Sequence, residues 1–167
     1  RALQAHALVA AGRGDEALTA ARRLATAVPR HEVAKFPPIE DFLTVPVLTL
    51  VRFGRFDAVL AEPAPPPELR YAGALHHYAR GVALVRKGRL AEAGAELDAV
   101  AAAAADPALQ QLVYFEGPVS RRVEVAQHHL AGELAAAQRR TPAAIAELEA
   151  AVAIQDTLGY VEPPPFY

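Results

Sequence analysis

The chain has no cysteine, no methionine and no tryptophan, and it also lacks asparagine, has one serine (Ser120) and only two lysines (Lys35 and Lys87). Without cysteine there are no disulfides and no thiolate to act as nucleophile or metal ligand. Disulfide content therefore says nothing about compartment, which stays open. One serine leaves nucleophilic catalysis almost nothing to work with. Ser120 follows Gly117-Pro118 at an expected helix start, where capping is its better use. No glycine-rich phosphate loop follows a strand pattern. No apolar run reaches the roughly 20 residues of a membrane-spanning helix, so no membrane partner is expected. No secretory signal is visible. Arg1 is not a start residue and the first residues already read as helical, so the sequence reads as an excised fragment. Neither sign of charge dominates: 17 basic and 19 acidic residues give a net charge of −2 and a pI near 6.3. That balance argues against nucleic acid as partner.

Alanine is what fills the chain, at roughly a quarter of all residues, well above ordinary usage. Alanine is the best helix former and lets helices approach closely. With 53% hydrophobic residues among 167, one domain can bury a substantial core. Order along the chain comes from its glycines. Gly54 and Gly88 are each followed by Arg and a large apolar residue (Phe56, Leu90), and they lie 34 residues apart. The clearest segment is Ala74–Val100, with small residues at Gly81 and Ala93, a turn at Gly88 and apolar residues at Leu84, Leu90 and Leu97. Small residues at that spacing suit two helices that cross closely. Gly12 reads as an earlier turn, with Ala5 and Ala17 as its small pair and Pro29 as its stop. Gly132 reads as a later small position, 51 residues after Gly81.

These spacings divide the chain into helix pairs over about 1–29, 40–62, 72–105 and 119–156. Pro46 is expected to kink the first helix of the second pair or delay its start. The proline-rich stretch 62–68 reads as an extended, stiff connector that leaves the preceding helix about two turns long. Residues 107–118 read as a short helix or turn; a strand is the alternative, though it has no obvious partner. Thr141 reads as a helix cap followed by Pro142 at the first helical position. The segment 159–167, with Pro163, Pro164 and Pro165 among aromatics, is expected to be non-helical.

With its 34-residue helix–turn–helix period, the chain resembles tetratricopeptide repeat proteins. More narrowly, VRFGRFDAVLAEPAPPPELRYA followed by HHYARGVAL resembles a group of bacterial tetratricopeptide proteins without an assigned activity. The resemblance implies an all-α, right-handed superhelix of about four helix pairs. It also implies a non-catalytic role: a scaffold whose concave groove, lined by the first helix of each pair, binds a peptide or protein. No cofactor is implied. In that group the repeats continue past a segment like VEPPPFY, so an exposed terminal repeat and self-association through it are expected as well. His77 and His128 stand where the family carries Trp or Leu between its helices.

Mapped onto this sequence, the groove residues include Leu48, Arg52, Tyr78, Val82, Arg86, His129 and Glu133. Arg52 and Arg86 share one repeat position, so two guanidinium groups could clamp a carboxylate or phosphate; the alternative is that each pairs with a nearby acid in water. The second functional reading is an enzymatic or ligand-binding site for a small anion around Tyr78, Arg86 and His129. The pairs His76-His77 and His128-His129 raise the question of a metal. Adjacent helical residues diverge by about 100°, so neither pair chelates alone. No metal site is expected, and packing is the expected role of His77 and His128.

Overall fold

The structure, a computed structural model, describes residues 2–114 and 117–159; the segment beyond Gly159 discussed above lies outside the described residues. Among the described residues the protein is all-α apart from one β-ladder with two residues in each strand. In order, the elements are α1 Ala2–Ala10, α2 Gly14–Thr26, α3 Arg30–Val33, a 3₁₀ turn Pro37–Glu40, α4 Asp41–Arg52, α5 Phe56–Ala61, α6 Arg70–Arg86, α7 Leu90–Ala104 and α8 Pro107–Gln110. The ladder strands β1 Val113–Tyr114 and β2 Gly117–Pro118 follow, then α9 Val119–Ala137 and α10 Thr141–Gln155.

Four tight turns of one design join α1 to α2, α4 to α5, α6 to α7 and α9 to α10. In each, one residue takes the left-handed conformation: Gly12 (φ 70°), Gly54 (φ 65°), Gly88 (φ 73°) and Arg139 (φ 60°). Each donates its N–H to the carbonyl three residues back, and the following residue donates to the carbonyl five back. Gly88 reaches Val85 at 3.0 Å and Arg89 reaches Leu84 at 2.9 Å; Arg139 reaches Ala136 and Arg140 reaches Ala135, both at 2.9 Å. These paired bonds satisfy the last carbonyls of the first helix and reverse the chain. Glycine at three of the four sites avoids the steric cost of a Cβ there.

The helices pack in sequence order: α1 on α2, α2 on α4, α4 and α5 on α6, α6 on α7, α6 and α7 on α9, and α9 on α10. The long helix α6 is therefore wrapped from several sides, and most of its residues are buried. Tyr71, Leu75, Leu84, Val100, Val119, Val123 and Leu130 centre the main core; Val47, Leu50, Val59, Ala79 and Ala83 form a second one between α4, α5 and α6. The small positions let these helices close. A Cβ on Gly132 would fall 2.7 Å from Leu148 Cγ of α10, and one on Gly81 would fall 2.4 Å from Leu130 Cδ2 of α9. Gly132 thus marks the crossing inside its own pair, whereas Gly81 marks the approach of the next pair.

Several local expectations are corrected. Pro46 lies inside α4, which starts at Asp41 and runs through it to Arg52; of its two expected effects a delayed start is excluded, and the proline forgoes one backbone bond within the helix. Thr141 is the first residue of α10 rather than its cap, which is Arg140. Ser120 is buried within α9, whose cap is Pro118. The segment 107–118 contains both the short α8 and a strand, β1, whose partner is local: Val113 pairs with Pro118 and Tyr114 with Gly117. The four-residue α8 matches the helical half of the expectation, and the hairpin supplies a partner for the strand.

Candidate functional site

The faces of α6 and α9 that meet carry polar residues in register. Tyr71 and Arg122, and likewise Tyr78 and His129, stand opposite one another across this seam. At the N-terminal end the Arg122 guanidinium lies 5.4 Å from the Tyr71 ring centroid. Two helical turns on, the Tyr78 hydroxyl is 3.1 Å from His129 Nδ1, with the rings edge-to-face at 5.7 Å. At the far end Arg86 forms a 2.6 Å ion pair with Glu133.

Burial, and then the Glu133 carboxylate, push the Tyr78 hydroxyl well above its ordinary value, so it stays protonated and can donate. Burial holds His129 below the ordinary histidine range; Glu133 opposes this and Arg86 adds to it. A neutral His129 can accept at Nδ1 the proton that Tyr78 offers. The pair is a closed donor and acceptor.

The proposed groove residues do not share one environment. Tyr78 and Val82 are 8% and 5% exposed and belong to the main core. Leu48 is partly buried and packs against both main clusters. His129 and Glu133 are half-buried, while Arg52 and Arg86 are exposed. The structure brings Tyr78, His129, Arg86 and Glu133 together along the α6–α9 seam. Arg86 is engaged by Glu133 there, which is the paired-acid alternative to a free clamp.

A cluster that sequence reasoning missed surrounds Arg122, which is fully buried. Its guanidinium is 5.8 Å from the Tyr114 ring as well as near Tyr71, and its Nη2 donates to Asp41 Oδ2 at 3.3 Å. The two tyrosine rings meet edge-to-face at 5.7 Å. Beside them the buried Glu40 accepts the Ala72 N–H at 2.9 Å, at the start of α6. Burial raises the Glu40 carboxyl above its ordinary value, against the pull of the Ala72 and Tyr71 backbone N–H groups. The hairpin earns its place by seating Tyr114 against this cation. A signal was available: Val119, Val123, Ala126 and Leu130 trace the apolar face of α9, and helical spacing puts Arg122 on that same face rather than outside.

The histidines are also placed differently from expectation. His77 is exposed and His128 half-buried, so neither fills the core. His77 Nδ1 is 2.6 Å from Glu96 and His128 Nδ1 is 2.7 Å from Glu147. Both contacts span 19 residues and join the first helix of a pair to the second. Glu96 also receives Arg80 Nε at 2.8 Å. It is His76 that is buried. Among the described residues no group of three His, Asp or Glu gathers where it could hold a metal, and no helix is long and apolar enough to cross a membrane. Compared with family models, with curated proteins and with solved structures, the chain has no match in any of the three.

Proposed function

We propose that this chain is a non-catalytic binding module of the tetratricopeptide kind, a right-handed superhelix of helix pairs that presents one face to a peptide or protein. The observation that carries the reading is the fourfold repetition of one helix–turn–helix junction, with the same left-handed residue and the same two backbone bonds, in helices packed in sequence order. Such quasi-linear arrays bind through extended surfaces rather than through a single catalytic cleft. The exposed Arg52 and Arg86 and the half-buried His129 and Glu133 are the contact residues on this reading. Glu133 tempers the positive charge of Arg86, so the preferred partner presents mixed polar groups rather than a dense run of acids. The mutual satisfaction of Tyr78 and His129 favours this over an enzymatic site for a small anion.

The test is site-specific photo-crosslinking. A photoreactive residue at Arg52 or at His129 should capture one defined polypeptide, and the same group at the exposed Asp98 on α7 should not. Capture from all three positions alike, or from none, rejects the reading.

A further inference from the structure

The second helices of the pairs are unequal. α2, α7 and α10 have 13, 15 and 15 residues, while α5 has six. At about 1.5 Å per residue α5 is shorter than its counterparts by roughly 10 Å or more. The proline connector crosses that span in place of the missing turns, and a cleft of about 740 Å³ remains between it, the C-terminal half of α2, the first half of α4 and the start of α6. Its apolar lining includes Val28, Leu43, Val47, Leu69 and Pro63–Pro66.

Two features of this cleft point to a ligand. His76, only 6% exposed, lines it, and among the described residues no hydrogen bond reaches its ring. It stands edge-on to His77 at 6.3 Å between ring centroids. Arg30 lies at the rim, exposed, and forms no ion pair among the described residues. The other rim guanidinium, Arg22, is bound to Glu62 of the connector at 2.7 Å. Burial, helped by the nearby Arg80 and His77 and opposed by Glu96 and Glu62, keeps the His76 imidazole below its ordinary range. The connector prolines carry no N–H, so the backbone of a bound peptide would find few donors on that wall. The donors on offer are side chains, and the uncommitted one is cationic.

We infer that this cleft binds a small amphipathic carboxylate, with its apolar body on the proline-lined walls beside His76 and its acid group against Arg30. The volume lies within the range of small-molecule sites, which are mostly apolar with a few placed polar groups. The site is independent of the peptide-binding reading. His76 and Tyr78 are two residues apart on α6 and so face nearly opposite sides of it.

Sodium decanoate, kept below its micelle-forming concentration, is the probe. It is titrated into the full chain while the histidine ring signals are followed by carbon-edited NMR. Saturable one-to-one binding that moves the His76 signal is expected, with 1-decanol at least about tenfold weaker because it lacks the charge. Arg30→Glu should weaken decanoate by at least about tenfold and leave the melting temperature unchanged, since Arg30 is exposed and holds no partner. Absence of saturation up to millimolar decanoate, binding that leaves His76 unmoved, equal affinity for the alcohol, or an unaffected Arg30→Glu variant would each overturn the assignment.

Discussion

Arg139 occupies the one left-handed turn position of the four that lacks glycine, with φ at 60°. A side chain there costs about 1 kcal/mol relative to glycine. Arg139→Gly should therefore raise stability by about 0.5–1 kcal/mol, read from urea unfolding, despite the added chain entropy of glycine in the unfolded state. Gly88→Ala, the reverse change at φ 73°, should lower it by about 1 kcal/mol or more. Gly12, Gly54 and Gly88 were legible in the sequence because glycine announces such a turn. Arg139 was not, because a basic residue at a helix end has another good explanation in the helix dipole. The burial of Glu40 and His76 escaped for a similar reason: residue type is written in the chain, while burial follows from which neighbour lands on it.

Between helices, glycine acts through space rather than through φ. The Cβ of Gly132→Ala would meet Leu148 Cγ and Cδ2 at 2.7 and 2.8 Å and the Ala144 carbonyl at 3.3 Å. The backbone oxygen cannot rotate aside, so α9 and α10 must separate. A loss of about 1–3 kcal/mol is expected, measured by thermal or urea unfolding. A loss below a few tenths would show that α10 can shift freely. The helix pairs themselves were readable from spacing, since small residues recur where helices cross. The hairpin between α8 and α9 was not: a two-residue strand carries no periodicity, and its partner Gly117-Pro118 lacks any strand propensity. The His–Glu rungs were readable in principle, because Glu96 and Glu147 sit 51 apart like His77 and His128. They hold one helix of a pair to the other at half-exposed positions, where such contacts contribute little individually.

Across the assembled helices, groups shifted by desolvation set responses to pH of opposite signs. His76 and His129 are held below the ordinary histidine value near 6.5, so the unfolded chain binds more protons than the folded one as pH falls past it. Their contribution is present above about pH 6.5 and is lost as pH falls through the depressed values. Glu40 is raised above the ordinary value near 4.5; its contribution is full below that and is lost as pH rises through the raised value. Unfolding by urea at pH 7.5 and 5.5 should show weaker stability at 5.5, and His129→Gln should reduce that difference. An unaltered difference would remove His129 as a source. The Arg122 cluster joins the same parts mechanically. Its guanidinium, on α9, reaches Asp41 at the start of α4 and stacks against Tyr71 of α6 and Tyr114 of the hairpin. Arrays of helix pairs usually couple only neighbours, but this contact ties together residues 81 apart in sequence. Arg122→Ala should cost about 3–5 kcal/mol, as removal of one member of a buried charge pair does. Hydrogen exchange then distinguishes local from global loss. In the native chain α1 amides should exchange well before those of α6, which is packed on several sides. In Arg122→Met, which keeps apolar bulk, α4, α6 and α9 should lose protection together, while α10 retains more of its own through Gly132 and Leu148. Loss confined to α9 would show that the buried cation packs its own helix without linking the others.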